Sequence, residues 1–362
     1  MAIIQLPVEG AQSVPASTIR KIAIEEHILS PLLTPKEYAD HAVQKLGVGV
    51  EWTEAAVQRL ADLRSTRLEE MDAAGIELTI LSLTAPGIEV FSDPSIAVRT
   101  AKTVNDFLAK EVAASRGRYQ AFACLPFQDV DAAIAELRRA IDKLGFCGVL
   151  MNGYIGPGRD GTGRYLDEKQ FEPFWKALAE LRVPLYLHPR APDETVQKAM
   201  YHGHPELVGA TWGFAPETAT HALRLTFGGV FDRHPNASII LGHMGETLPF
   251  FAWRIQRAFE YNPLGKKPGK RLQDYLCENF WITTSGNFSD QALITTLLTV
   301  GADRILFATD YPYEMATDAA RWIERAPISE NDRRKICLKN SETLFRLGDR
   351  TAKTSQTKIK NH

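Results

Sequence analysis

Short apolar runs alternate along the chain with longer segments in which apolar residues recur at helical spacing. Eight of the runs have the length of a strand in a parallel sheet: 22–24, 78–83, 120–125, 148–151, 184–187, 238–241, 280–283 and 305–308. Helical segments follow most of them, and 94–114 begins with a cap residue, Asp93, and with Pro94 in its first turn. The alternation predicts repeated βα units around a parallel sheet.

The series of βα units predicts an α/β fold with a single large domain. Residues 21–348 show no shift of composition and no Gly/Ser-rich linker. Eight strands in one unbroken series favour a (β/α)8 TIM barrel over an open doubly wound sheet. Long insertion loops follow the first strand (29–67) and the fourth (153–167), where they would lie on the catalytic face. We expect the remaining segments, 1–20 and 349–362, to be a tail at each end.

Composition narrows the class of function. The chain of 362 residues has 42 Lys and Arg against 44 Asp and Glu, so it lacks the basic surface needed to bind nucleic acid or an anionic membrane. No run approaches the roughly 20 apolar residues that span a bilayer. The four cysteines are widely spaced, which argues against a disulfide scaffold. We therefore expect a cytoplasmic protein that acts on a small molecule.

Ionisable side chains follow directly on four of the predicted strands. They are His27, His188, His243 and Asp310. In a barrel these strand ends converge at one mouth, so residues distant in sequence can share a site. A single histidine is more often a surface or core residue than a ligand, but burying several unpaired ionisable groups would cost several kcal/mol each. The set therefore favours a metal site.

The segment Glu25-Glu26-His27 restricts which side chains can reach that site. Alternation along a strand places Glu25 and His27 on one side, whereas Ile24 and Glu26 point elsewhere. Glu26 is then either exposed to solvent or placed behind the ligands. Two carboxylates and two imidazoles suit zinc, manganese or magnesium. The sequence therefore predicts one divalent ion bound by Glu25, His27, a second histidine and Asp310.

Further residues near the strand ends are candidates for the site, and most of them have an alternative structural role. Glu246 lies three residues after His243, in the first turn of a predicted helix, and either orients the imidazole or only interacts with the helix dipole. Arg254 points either inward to a carboxylate or outward to water. Asn152 ends the fourth strand, where a two-metal site would need a lysine or carboxylate, so a single metal is favoured. Four aromatic residues either pack in the core or form the wall of a flat substrate's site: Trp212, Phe214, Tyr154 and Tyr311.

Taken together, these segments resemble the amidohydrolase superfamily. The resemblance runs from about 21 to 347 and is carried by Ile24-Glu25-Glu26-His27, Leu187-His188-Pro189-Arg190, Gly242-His243-Met244-Gly245-Glu246, Trp253-Arg254, Thr284-Ser285-Gly286-Asn287-Phe288 and Thr309-Asp310-Tyr311-Pro312. It is closest to the decarboxylase branch that contains aminocarboxymuconate semialdehyde decarboxylase, and within it to the γ-resorcylate and 2,3-dihydroxybenzoate decarboxylases. Many hydrolases of the superfamily begin with His-x-His, and Glu25 in place of that first histidine supports the benzoate enzymes.

The resemblance implies a role for each of these residues. It implies Glu25, His27, His188 and Asp310 as ligands of one divalent metal, and His243 with Glu246 as a catalytic pair. It places three further residues around the substrate: Arg254, Phe214 and Asn152. No organic cofactor and a homotetramer or homodimer are also implied.

The function expected on these grounds is a carbon–carbon lyase. It would be a metal-dependent, reversible, non-oxidative decarboxylase of ortho-hydroxybenzoates such as 2,3- or 2,6-dihydroxybenzoate and salicylate. Asp310 would protonate the ring carbon, which requires a raised pKa of the kind that a dry aromatic pocket provides. The alternatives are a hydrolase of a lactone or amide on the same barrel, in which the metal activates water, and a metal-dependent binding protein without catalysis.

Overall fold

The structure, a computed structural model, describes residues 19–32, 50–156 and 163–347. Eight parallel strands lie side by side in the order of the sequence. Their bounds are β1 Lys21–Ile28, β2 Ile76–Leu83, β3 Tyr119–Ala123, β4 Gly148–Asn152, β5 Pro184–His188, β6 Ser238–Leu241, β7 Phe280–Thr283 and β8 Ile305–Leu306. The barrel closes where the segment after β8 meets β1. There the His27 N–H donates to the Tyr311 carbonyl over 2.8 Å, and the Asp310 N–H donates to the Glu25 carbonyl over 3.1 Å.

Helices surround the strands and confirm the predicted (β/α)8 barrel. Their bounds are Val50–Ala61, Thr66–Ala74, Pro94–Ala114, Val130–Asp142, Glu172–Leu181, Glu194–Met200, Phe214–Phe227, Val230–Arg233, Leu248–Tyr261, Leu272–Glu278, Asp290–Val300, Ala316–Arg325, Glu330–Arg334 and Asn340–Phe345, with a π-helical turn at Lys335–Lys339. The predicted cap is present, since the Asp93 carboxylate accepts a hydrogen bond from the Ser95 N–H.

Apart from β1, which continues to Ile28, the predicted strands match the structure to within two residues at each end, and β8 is shorter than its apolar run. It ends at Leu306 although the apolar run continues to Ala308. The Phe307 N–H donates to the Ile336 carbonyl, and the Ala308 N–H donates to the Thr284 hydroxyl, each over 3.0 Å. The N–H groups of Phe307 and Ala308 therefore donate to acceptors outside the hydrogen-bond ladder between β7 and β8. The pattern of apolar residues does not indicate this early end of the strand.

The barrel interior is filled with large side chains at the end away from the predicted site. Ile22, Ile80 and Phe122 belong to this interior cluster, which Phe345 of the last helix also joins. The rings of Phe122 and Phe345 lie 5.7 Å apart between centroids. Because this end is packed, a ligand can enter only from the carboxyl ends of the strands.

The two predicted insertion loops and the tails are described only in part. The loop 29–67 includes the helix Val50–Ala61, and 33–49 lie outside the described residues. In the loop 153–167, Ile155 pairs antiparallel with Arg164, and 157–162 lie outside them. Residues 1–18 and 348–362 are also outside, so the predicted tails and domain boundaries stay predictions. Among the helices described, none has the length and apolar character needed to cross a bilayer.

Candidate active site

The four predicted metal ligands lie together at the carboxyl ends of the strands. One nitrogen or oxygen atom from each of Glu25, His27, His188 and Asp310 lies within 4.8 Å of the corresponding atoms of the other three. His27 Nε2 is 3.3 Å from Asp310 Oδ1, and His188 Nε2 is 3.3 Å from Glu25 Oε1. The barrel thus brings together side chains separated by up to 285 positions in the sequence.

This cluster fits a divalent cation. Glu25 Oε1, His27 Nε2 and Asp310 Oδ1 are buried, and none has a hydrogen bond of ordinary geometry to any residue that the structure describes. Buried polar atoms are normally paired, because an unpaired one costs about 1–3 kcal/mol. Three such atoms that converge on one point, with two carboxylates and two imidazoles as donors, form a ligand set that zinc or manganese accepts.

A β-bulge in β1 allows Glu25 to reach this cluster. Between Ala23 and Glu26 the strand advances three residues while β2 advances two. Ile24 therefore stays in the barrel interior, and Glu25 points into the barrel as well. The prediction that Ile24 points away is wrong, because simple alternation takes no account of the extra residue.

Glu26 points to the other side, as predicted, but it is not exposed to solvent. It is buried, and its carboxylate accepts hydrogen bonds from the Thr309 N–H over 3.0 Å and from the Thr309 hydroxyl over 2.8 Å. Burial raises the pKa of Glu26 to about 8, although these hydrogen bonds oppose the rise. Glu26 therefore connects Thr309, the residue before Asp310, to β1 on the side of the strand that faces away from the predicted ligands.

Each histidine ligand is oriented by its second ring nitrogen. His188 Nδ1 lies 2.8 Å from the amide oxygen of Asn152, and His27 Nδ1 lies 3.2 Å from the Ser82 hydroxyl. Each Nδ1–H donates to that oxygen and leaves Nε2 directed at the cation site. Asn152 is itself buried behind His188 and is not among the residues that line the cavity above the site, so its contact with substrate stays a prediction.

His243 and Glu246 form the predicted pair, but on a different local structure. His243 Nδ1 lies 2.6 Å from Glu246 Oε1, and His243 Nε2 lies 3.4 Å from Asp310 Oδ2. The prediction that Glu246 lies in the first turn of a helix is wrong, because the next helix begins at Leu248 and the residues before it form a left-handed turn. Glu246 thus acts on the imidazole rather than on a helix dipole.

Charges in the site move the pKa values of His243 and Asp310 apart. Burial alone would lower the pKa of His243, but the carboxylates of Glu246 and Glu25 raise it well above its ordinary value. Burial alone would raise the pKa of Asp310, but the hydrogen bond from His243 and the imidazole of His27, 3.3 Å away, hold it below its usual range. The raised pKa expected of Asp310 is therefore not found, and His243 is the member of the pair whose pKa is raised.

A cavity of about 1080 Å³ opens onto the site. His188, His243 and Asp310 line it, and its other walls are largely apolar, with aromatic contributions from Trp212, Phe214, Phe250, Phe251 and Tyr313. Phe214 thus lines the cavity as expected. Arg254 does not: it is exposed on the Leu248–Tyr261 helix and is absent from the lining, so its expected place beside the substrate is not found within this chain.

The other two aromatic residues singled out in the sequence pack against arginines. The Arg67 guanidinium stacks 4.3 Å from the ring centroid of Tyr311, and Arg190 stacks at 4.3 Å over Tyr154. Neither tyrosine lines the cavity. These two positions therefore serve packing rather than the substrate wall.

Comparison with known proteins identifies the family. A family model described as amidohydrolase matches residues 41–347. The γ-resorcylate decarboxylase of Rhizobium radiobacter is 47% identical over 332 residues, which cover 91% of this chain and 99% of that protein. This chain belongs to the amidohydrolase family. Within it, the chain lies in the decarboxylase branch, as the resemblance indicated.

Solved structures of other family members agree in fold. A 2,6-dihydroxybenzoate decarboxylase in complex with 2,6-dihydroxybenzoate superposes with a TM-score of 0.85 at 46% identity, covering 91% of this chain and 100% of that one. A dihydroxybenzoic acid decarboxylase from Polaromonas sp. JS666, with bound manganese and the inhibitor 2-nitroresorcinol, gives 0.85 at 43% identity, covering 91% and 98%.

Several residues of this amidohydrolase site were missed in the sequence. Ser82 lies outside every motif named above, and Tyr313 comes one residue after Thr309-Asp310-Tyr311-Pro312. Their positions beside His27 and the cavity appear only in the structure. Tyr186 had a signal, because it precedes His188 by two residues on β5 and alternation places both side chains inside the barrel. Its hydroxyl reaches Glu25, 161 positions away in the sequence.

Proposed function

We propose that this amidohydrolase-family protein is a metal-dependent, non-oxidative decarboxylase of ortho-hydroxybenzoates, the class of 2,6- and 2,3-dihydroxybenzoate and salicylate. The observation that carries the proposal is the convergence of orphaned ligand atoms from Glu25, His27 and Asp310 at one end of a cavity with aromatic walls. The γ-resorcylate decarboxylases, up to 47% identical over most of the chain, support the same chemistry. As a reversible lyase, the enzyme would also carboxylate phenols at high bicarbonate.

One divalent cation would be held by Glu25, His27, His188 and Asp310. Zinc, manganese and magnesium all accept carboxylate ligands, and the manganese in the Polaromonas structure supports manganese among them. When bound, the cation would supply Lewis-acid polarisation of the substrate's carboxylate and ortho oxygen. The proposal includes no organic cofactor.

The residues of the chain then have to deliver a proton. Loss of CO2 from a ring carboxylate leaves a high-energy aryl anion unless the ring carbon is protonated before the carbon–carbon bond breaks. Asp310 lines the cavity and carries that proton to the ring carbon. When the carbon–carbon bond breaks, its electron pair returns to the ring, and aromaticity is restored as CO2 leaves.

His243 supplies the proton to Asp310. Its Nε2 is 3.4 Å from Asp310 Oδ2, and Glu246 stabilises the charged imidazole from the opposite side over 2.6 Å. The low pKa of the Asp310 carboxyl is compatible with this role, because Asp310 needs to hold the proton from His243 only during the transfer to the ring. Solvent restores the proton on His243 after product leaves.

We also propose that copies of the chain associate in a homotetramer or homodimer in the cytoplasm. Phe250, Trp253 and Tyr261 of one helix are 72–76% exposed, and large exposed apolar patches are typical of protein interfaces. Light scattering at several protein concentrations would measure the mass, and a monomer at micromolar concentration would contradict the association.

The test of the function is release of CO2. Purified protein of measured metal content is incubated with 2,6-dihydroxybenzoate, 2,3-dihydroxybenzoate and salicylate, while CO2 and the remaining acid are both measured. We expect stoichiometric release that stops after chelation and returns with added cation. No release from any of the three with about one metal per chain would contradict the proposal, and turnover of a lactone panel without CO2 would indicate the hydrolase.

A further inference from the structure

The two carboxylate oxygens of Glu25 have different surroundings. Oε2 accepts a hydrogen bond from the phenol of Tyr186, and the Thr283 hydroxyl lies 3.4 Å from the same oxygen. Oε1 has no such donor and faces the imidazoles of His188 at 3.3 Å and His243 at 3.6 Å. Only Oε1 is therefore directed at the cation site.

Tyr186 belongs to a chain of hydroxyls that extends beneath the site. Its Oη lies 3.1 Å from Thr283 Oγ1, which lies 2.8 Å from Ser285 Oγ. Ser285 Oγ accepts a hydrogen bond from the backbone N–H of His243 over 3.1 Å. This hydroxyl chain, made of Tyr186, Thr283 and Ser285, connects Glu25 to the main chain at His243.

The hydroxyl chain is enclosed by the barrel. Tyr186 and Ser285 are both completely buried. A Cβ atom placed on Gly242 would lie 3.0 Å from Glu25 Oε2 and 3.1 Å from both Tyr186 Oη and Ser285 Oγ, so the backbone just after β6 packs directly against the hydroxyl chain. Burial also raises the pKa of the Tyr186 phenol well above its ordinary value, so the phenol keeps its proton and stays a donor.

We propose that Tyr186 is a positioning residue that holds Glu25 as a one-oxygen metal ligand and ties that ligand to the turn that carries His243. This inference rests on the proposed metal-dependent function. Without the phenol, Oε2 loses its main donor and can turn toward the cation as a second ligand atom. That would occupy a coordination position that a catalytic site keeps open for its substrate.

The test compares Tyr186→Phe with Tyr119→Phe. Tyr119 is also buried, and its phenol donates to the Leu63 carbonyl over 2.7 Å on a strand with no ligand residue. Both changes remove one buried hydroxyl, so loss of stability alone affects both. Each protein is loaded with cobalt(II) for its visible spectrum, and the metal dissociation constant is measured by competition with a chromogenic chelator.

We expect Tyr186→Phe to alter the cobalt spectrum toward a higher coordination number. Because the Glu25 carboxylate also loses the hydrogen bond that orients it, metal binding should weaken by about 10- to 100-fold. Tyr119→Phe should leave both readouts at wild-type values. Unchanged readouts in Tyr186→Phe, or equal changes in both variants, would overturn the inference. If the wild-type protein binds no cobalt, the proposed metal function fails and the inference fails with it.

A second variant guards against misfolding of Tyr186→Phe. Thr283→Val is nearly isosteric, removes the other donor to Glu25 Oε2 and interrupts the hydroxyl chain. Its cobalt spectrum should change in the same direction by a smaller amount. A wild-type spectrum in this variant would contradict a role for the hydroxyl chain, whether or not wild-type protein releases CO2 from hydroxybenzoates.

Discussion

His243 Nδ1 and Glu246 Oε1 lie 2.6 Å apart across a turn in which every residue from 243 to 247 has a left-handed backbone. The φ angles are 50°, 58°, 81°, 52° and 69°, and only the third residue is glycine. Left-handed conformations cost roughly 1–2 kcal/mol for each non-glycine residue. Backbone strain of this kind persists only where the surrounding structure enforces it. Here the strained turn directs the imidazole of His243 at Asp310.

Glu246→Gln should lower kcat about 10²- to 10⁴-fold, the range of a general acid–base contribution. The amide keeps a hydrogen bond to the imidazole but removes the negative charge that favours its protonated form. Metal content should stay unchanged, because Glu246 is not among the ligands. The measurements are steady-state CO2 release and metal analysis.

The chain offers a matched control for this change. His234 Nε2 lies 2.6 Å from Glu172 Oε1, a pair of the same types at the same distance on the outside of the barrel. Glu172→Gln should leave kcat at the wild-type value. A loss of kcat of less than about threefold in Glu246→Gln, or equal losses of kcat in both variants, would contradict the proposed role of the His243–Glu246 pair.

Asp310→Asn should abolish measurable turnover while substrate still binds. The amide cannot pass a proton to the ring carbon, whereas the aromatic walls of the cavity are unchanged. Substrate binding is followed by calorimetry and turnover by CO2 release, and the metal content is measured on the same sample because Asp310 is a proposed ligand. Near-normal turnover with a full complement of metal would rule out Asp310 as the proton carrier.

Gly286→Ala should reduce kcat by at least about tenfold, because misplacement of reacting groups by about 1 Å can cost 10²-fold. A Cβ at this position would lie 2.9 Å from His243 Cδ2 and 3.0 Å from Asp310 Oδ2. The backbone φ of +57° adds strain of its own. Both the kinetics and the melting temperature are measured.

Gly145→Ala separates the contact from the strain. Gly145 has a φ of +75°, and an added Cβ there meets nothing within 4 Å. The left-handed backbone should cost each variant about 1 kcal/mol of stability, and only Gly286→Ala should lose activity. Full activity in Gly286→Ala would show that the close packing of Gly286 against His243 and Asp310 is not needed.

His221 should make folding sensitive to acid. It is buried, with Nδ1–H donating to the Gly153 carbonyl over 3.1 Å and Nε2 accepting from the Leu166 N–H over 3.1 Å. Burial lowers its pKa from 6.5 to about 3. Between these two pKa values His221 binds a proton in the unfolded chain but not in the folded chain. The free energy of unfolding therefore falls as the pH falls through this window.

The measurement is urea unfolding of wild-type protein and His221→Gln between pH 7.5 and 5. Glutamine keeps one donor and one acceptor but does not titrate. The wild-type protein should lose about 2 kcal/mol more than the variant by pH 5, since one proton contributes about 1.4 kcal/mol per pH unit. Parallel curves for the two proteins would refute the assignment.

The sequence determined the barrel and much of the site. Apolar runs and helical periods alternate with enough regularity to count eight βα units, and the strand ends of such a barrel converge whatever the details of packing. Glu25, His27, His188 and Asp310 could therefore be brought together from the sequence, because each lies within three residues of the end of a predicted strand. The spacing of His243 and Glu246 likewise indicated their pairing.

Only the tertiary structure decided the direction in which individual side chains point. Alternation on β1 fails at Ile24 because a bulge depends on hydrogen bonding with β2. The outward position of Arg254 depends on which face of its helix packs on the barrel. The phenol of Tyr186 reaches Glu25 across the barrel interior. Local pattern fixes the period of an element, whereas bulges, left-handed turns and long-range hydrogen bonds arise from contacts between elements, and those contacts set the geometry of the site.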